Sequence, residues 1–253
     1  MKEVTFDFTG KNFVVVGASS GMGCQTALEL AEAGAHVLAV ARNENRLAAL
    51  QKTNPQLIET TQIDVTTASN EEWTDAIGAF VKQHGKIHGA VYTAGTTGTT
   101  PLRLHDGTDA RNIMETGFWG AMKVLEITTK KKYSLEGASY VVFSSVAAYG
   151  GGRGMLVYSG TKAAVHAAVH SVAREISERG QRINSISPGW VETEMTGNYL
   201  DHMGQSAQDI SDGCFGKGKP QDVTGMVLFL LSDRAKWITG VDFIVDGGFM
   251  FGR

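Results

Sequence analysis

Cysteine, proline and long apolar runs are all scarce in this chain of 253 residues, and each scarcity excludes something. The two cysteines, Cys24 and Cys214, stand far apart and in no paired spacing, so neither a disulfide framework nor a metal cluster is expected. With four prolines and no proline-rich linker, internal repeat or low-complexity tract, one domain over residues 1–253 is the economical reading. No apolar run approaches the roughly 18 residues of a membrane-spanning helix. The stretch Met1–Gly10 is mixed polar and acidic rather than basic and then apolar, so nothing directs export and the cytoplasm is the expected compartment. A formal net charge of -3 offers no general attraction to nucleic acid or to anionic membrane. The one basic run, Lys130, Lys131 and Lys132, reads as a solvated helix end.

What is present is an alternation. Short runs rich in Val, Ile and Phe recur at Phe13–Val16, His36–Ala41, Gln62–Val65, Gly89–Thr93, Ser139–Ser144, Ile183–Ser187 and Phe243–Val245, giving seven candidate strands. Between them lie helix-like stretches such as Met22–Ala33, Glu71–His84, Ile113–Thr129, Ser159–Glu178 and Val223–Leu231. Strands alternating with helices predict βαβ units: an α/β fold in three layers, doubly wound around a parallel sheet of about seven strands. The segment 195–220 breaks the alternation with several glycines. It reads as a substrate loop or lid, with a functionless surface excursion as the alternative.

The first strand runs into Gly17-Ala-Ser-Ser-Gly21-Met-Gly23, after which a helix begins. Strand, glycine turn and helix start together suit a pyrophosphate: the backbone approaches closely, and unpaired N–H groups supply donors. Gly17, Ser19, Ser20, Gly21, Met22 and Gly23 are therefore candidate dinucleotide ligands. At the end of the second strand an acid would pair with a ribose 2′-hydroxyl. Here Ala41 removes the acid and Arg42 adds a planar cation suited to a 2′-phosphate, which favours NADP(H) over NAD(H). Tyr158 and Lys162, four residues apart in Tyr-Ser-Gly-Thr-Lys, project from one helix face, where an ammonium would stabilise a phenolate and make the hydroxyl a usable acid or base. Ser145, just past an apolar strand, would hold a substrate oxygen.

Taken together these residues resemble the compact single-domain branch of the short-chain dehydrogenase/reductase family over essentially the whole length. Gly17-x-x-x-Gly21-x-Gly23 looks like the family's cofactor turn, and Ser145 with Tyr158-x-x-x-Lys162 like its catalytic signature. The resemblance implies that Asp64-Val65 contacts adenine and that Ala94 and Gly95 pass close to the cofactor. It implies also that Pro188, Gly189, Val191 and Thr193 belong to the segment gripping the nicotinamide carboxamide. Gly240 and Asp246-Gly247-Gly248 match a closing strand used in subunit contacts, so a homotetramer, or next a dimer, is implied. The implied reaction is reversible hydride transfer between NADP(H) and a small carbonyl or alcohol. Tyr158 would exchange the proton, Lys162 would hold the nicotinamide ribose and Ser145 would orient the substrate.

Two positions depart from the family. Tyr92-Thr93-Ala94-Gly95 stands where Asn-Asn-Ala-Gly is common, and Gly117 occupies the helix position that usually supplies a catalytic asparagine. Gly117 is also the only feature favouring the rival reading, a dinucleotide-binding sensor with little turnover. A structural assembly protein has only the glycine-rich closing segment behind it. Of the other candidates, His105 reads as a solvated loop residue, while Trp190 and Tyr149 divide between substrate packing and core filling.

Overall fold

The computed structural model describes residues 4–105, 107–197 and 214–251. Seven strands form one parallel sheet: β1 Asn12–Val16, β2 His36–Ala41, β3 Ile58–Gln62, β4 Ile87–Tyr92, β5 Ser134–Phe143, β6 Arg182–Pro188 and β7 Asp242–Val245. Their spatial order is β3-β2-β1-β4-β5-β6-β7, so the winding reverses between β1 and β4. In an open α/β sheet that reversal leaves a crevice at the carboxyl ends of the strands.

Burial on both faces explains the apolar strands. Along β1, Phe13 and Val15 join a core with Leu30 of α1 (Gly21–Glu32), Leu50 of α2 (Glu44–Thr53) and Val227 of α8 (Pro220–Leu231). Val14 and Val16 point the other way, to Trp73 and Ile77 of α3 (Asn70–His84), Val124 of α5 (Gly120–Thr128) and Val165 of α7 (Leu156–Ile176). Because side chains alternate faces, a one-residue slip of β1 against β4, now paired Phe13 to Gly89, would exchange the two cores. Among the described residues no helix is long and apolar enough to cross a membrane.

The structure corrects two expectations and adds one helix, α2, that the sequence did not point to. The third strand is Ile58–Gln62, not Gln62–Val65. It is one edge of the sheet and pairs only with β2, so its Glu and Thr side chains are only partly buried and Gln62 is exposed, whereas the apolar Ile63 lies just past its end. Helix α2 has only Leu47 and Leu50 buried and so lacks a strong apolar stripe. The expected helix over 113–129 is three pieces: α4 (Thr108–Met114), a π-helical turn at Glu115–Trp119, and α5. A further short helix, α6, is Ala147–Gly150.

Candidate active site

The crevice beside β1 and β4 holds a groove of about 630 Å³. Gly17 turns there with φ +89°, and a Cβ on it would come within 2.5 Å of Thr93 Oγ1 and 2.6 Å of the Ala94 nitrogen. A Cβ on Gly23 would collide with the Gly17 carbonyl and the Thr93 hydroxyl. Only glycine fits at either place, so the turn lies flush against β4. At the start of α1, Ser20 makes no side-chain cap and the first turn carries no acid. Backbone N–H groups at that helix start therefore face the groove without a protein anion, the complement of a pyrophosphate. Gly17, Ser19, Ser20, Gly21, Met22, Gly23, Arg42, Val65, Ala94, Gly95 and Thr193 all line this groove. The donor set and the glycine cradle fit a dinucleotide.

Its outer end carries two arginines, each beside an acid. Arg42, with 66% of its side chain exposed, stands 3.7 Å from Asp64. Partial burial works to raise the Asp64 carboxyl, but the Thr66 backbone N–H and hydroxyl, with Arg42, prevail and hold it below the usual carboxylate range. Asp64 is thus committed to its own turn and to Arg42, while its neighbours Ile63 and Val65 form the groove wall. Arg46, which the sequence reading did not single out, also lines the groove and pairs bidentately with Glu194, at 2.5 and 3.1 Å. Its place four residues after Arg42, at the start of α2, was the available signal. The Glu194 side of the pair lies 148 residues away and was invisible.

Next to the groove, a narrow space of about 90 Å³ brings together Ser145, Tyr158, Lys162, Pro188, Gly189, Val191 and Thr193. Tyr158 and Lys162 sit in the first turns of α7, one helical turn apart as expected. The Lys162 ammonium lies 5.7 Å from the Tyr158 ring centroid and donates to the Phe143 carbonyl at 2.8 Å. Ser144 Oγ donates to the Lys162 carbonyl at 2.9 Å, tying the helix to the end of β5. Ser145 Oγ accepts from the Ala147 N–H at 3.2 Å, which orients the hydroxyl.

The electrostatics differ from the sequence expectation. Burial pushes the Tyr158 hydroxyl above its ordinary value, and a hydrogen bond with Ser145 opposes that only in part. Burial also pushes Lys162 down, to about 8. Enclosure disfavours both charged forms, and the ammonium spends its hydrogen bond on Phe143 rather than on the phenol.

Both departures from the family find a local account. Thr93 ties β4 to β1, its N–H and hydroxyl donating to the Val16 carbonyl at 2.8 and 2.9 Å. Tyr92 Oη donates to the Thr116 carbonyl at 2.5 Å, within the π-helical turn, in a space that a Cβ on Gly120 would fill. Gly117 lies in that same turn, so the helix there is not regular. A Cβ on it would approach Thr161 Cγ2 to 2.7 Å, hence glycine lets the turn pack on α7 next to Lys162.

A second cavity of about 390 Å³ opens from Ser145 and Tyr158 toward Trp190, Met155 and Phe249. Met195 borders this cavity, the narrow space and the groove, and so marks their junction. Of the segment 195–220 expected to form a substrate loop, residues 198–213 lie outside the described residues. Met195 and Thr196, which precede them, line the cavity. Trp190 lines it too, whereas Tyr149 turns away and donates to Asp242 at 2.7 Å. His105 is not the solvated residue expected: its Nε2 is buried.

Comparison with known proteins agrees with this architecture. Residues 17–250 match the family described as enoyl-(acyl carrier protein) reductase. The chain is 30% identical over 241 residues to a 3-oxoacyl-(acyl-carrier-protein) reductase of Staphylococcus aureus, covering 94% of this chain and 97% of that protein. The enzyme of the same name from Thermotoga maritima is 29% identical over 243 residues, covering 94% and 97%. A short-chain type dehydrogenase/reductase from Mycobacterium ulcerans superposes with a TM-score of 0.88 at 30% identity, over 99% of this chain and 92% of that one. Uncapped turn, neighbouring Ser145 and Tyr158 and buried lysine thus stand in a frame shared from end to end, and the chain belongs to the short-chain dehydrogenase/reductase family of oxidoreductases.

Proposed function

We propose that the protein is an NADPH-dependent carbonyl reductase, with Tyr158 as the proton donor. One observation carries the reading: Tyr158 and Ser145 together line the narrow passage where the dinucleotide groove meets an apolar cavity. A carbonyl oxygen placed there would accept from both. When bound, the nicotinamide supplies the hydride. Tyr158 Oη–H gives its proton to the substrate oxygen as an alcohol forms, and the Ser145 hydroxyl holds that oxygen in place. The raised pKa keeps Tyr158 in its protonated, donor form across the neutral range, which suits the reductive direction. Lys162, held by Phe143 beside Gly95, stands ready at the groove floor to support the ribose and the phenolate left behind.

Ala41 and Arg42 at the outer end, with Arg46 beside them, favour the 2′-phosphate of NADPH. The same reading implies a homo-oligomer. The edge strand β7 and its approach carry exposed apolar side chains, Trp237 at 97% and Ile244 at 44%, of the kind that subunit contacts cover. The sensor reading loses its only support, because packing against Thr161 accounts for Gly117. The test is NADPH oxidation over a panel of ketones with the unmodified protein and Tyr158→Phe. Since a general acid contributes about 10²–10⁴-fold, a loss below tenfold would remove Tyr158 from the role.

A further inference from the structure

Every charge at the groove's outer end has a counterpart, but the substrate cavity has one that does not. Among the described residues lining the cavity, Arg153 alone is charged. Apart from Thr97, Ser145, Tyr158 and Thr196, the walls are apolar or glycine, with Val146, Ala147, Met155, Trp190, Phe249 and Met250 prominent. Several other arginines are engaged: Arg42 with Asp64, Arg46 with Glu194, Arg179 with the Thr129 and Ser134 carbonyls, Arg182 with the Ser232 carbonyl. Arg153 has no carboxylate within ion-pair distance among the described residues.

The loop that carries it is built to hold a fixed course. Gly151 and Gly154 take positive φ, +66° and +77°. The Gly154 carbonyl accepts from the Thr100 N–H at 2.9 Å, and a Cβ on Gly154 would approach Thr99 Cγ2 to 2.8 Å.

We propose that Arg153 anchors an anionic group of the substrate, so that the substrate is a small ketone bearing a carboxylate or phosphate separated from the carbonyl by a short apolar spacer. This inference rests on the carbonyl-reductase reading. The reacting carbonyl lies at Ser145 and Tyr158, the spacer against the methionines and Trp190, and the anion on the guanidinium, whose planar fork matches either oxyanion. A cavity of about 390 Å³ admits a molecule of that size.

The experiment compares an oxo acid, its methyl ester and the corresponding oxo phosphonate as substrates for the full-length protein, following NADPH oxidation. A charge-assisted contact of about 1.5–3 kcal/mol corresponds to roughly 10–100-fold, so the unmodified protein should prefer an acid to its ester by at least tenfold, mostly in KM. Arg153→Met should collapse the acid-to-ester ratio of kcat/KM by a similar factor, and Arg153→Lys should restore part of it. A fluorescence titration confirming that each variant still binds NADPH guards against misfolding. Preference for the carboxylate or for the phosphonate identifies which oxyanion is natural. An ester or a neutral 3-oxoacyl thioester reduced as well as the acids, or a ratio indifferent to Arg153, overturns the anchor while leaving carbonyl reduction standing. No oxidation with any ketone overturns both.

Discussion

Among the described α-helices, α1 and α3 both begin behind a serine, and only α3 uses it. At α3, Ser69 Oγ accepts from the Glu72 N–H at 3.2 Å and Glu72 accepts from the Ser69 N–H at 2.8 Å, with Glu71 and Glu72 both in the first turn. At α1, Ser20 caps nothing, no acid follows, and glycines stand at positions 21 and 23. The same positive helix end is neutralised from within in one case and left open in the other. A helix start that its own side chains complete is structure; one left incomplete beside a groove is a place for someone else's anion.

That contrast is open to breaking. The largest effect belongs to Gly23→Val, whose side chain would occupy the contact with the Gly17 carbonyl and Thr93. NADPH binding should fall by more than about 100-fold in a fluorescence titration, while circular dichroism retains the helix signal, since what is lost is a close approach rather than a core. Arg42→Ala comes next. Loss of a charge-assisted contact worth about 1.5–3 kcal/mol should weaken NADPH about 10–100-fold and leave NADH nearly as before, and equal losses for both cofactors would remove Arg42 from the 2′-phosphate.

Completing α1 sharpens the comparison further. Ser20→Asp installs the missing cap, so the cofactor-free protein should melt about 2–4 °C higher while NADPH affinity drops by about tenfold, as an acid now competes for the donors. A variant that gained stability with no loss of affinity would show that the α1 start is not where the pyrophosphate sits. The smallest effect is Ser69→Ala, which should lower Tm by about 2–4 °C in calorimetry and leave both the NADPH Kd and turnover in place. Its penalty should fade in acid. The Ser69 backbone N–H, then the Ser69 hydroxyl, hold Glu72 below its ordinary pKa. The stability that this contributes is present above the unfolded value and disappears as pH falls through the folded one.

Legibility in the sequence followed locality. The glycine turn, Ser145 and the Tyr158–Lys162 pair declare themselves within a few residues, because strand period, helix period and the need for absent side chains act over short stretches. The edge strand β3 did not, since half of it faces water and its Glu-Thr-Thr-Gln reads as a loop. The π-helical turn at Glu115–Trp119 depends on Tyr92 and Thr161, residues distant in sequence that set how closely the turn packs. The sense of the Tyr158 shift was hidden for the same reason. Spacing shows that an ammonium is near a phenol, but only enclosure decides that burial outweighs it.

The reversal between β1 and β4 also governs the order of events when the chain folds. Phe13 must find Gly89, with β2, β3 and three helices in between, before the seam at the heart of the sheet closes. Pairings so remote in sequence are slow, because loop-closure entropy is spent before the contact rewards it. The groove needs walls from both sides of that seam, with the Gly17 turn on one and Thr93 to Gly95 on the other, so no half-formed sheet offers it. A dinucleotide therefore recognises only the finished molecule. By mass action, cofactor at a hundred times its dissociation constant would deepen the native state by about 2.7 kcal/mol, so the nucleotide pool of a cell would act on this protein as a folding ligand as well as a source of reducing power.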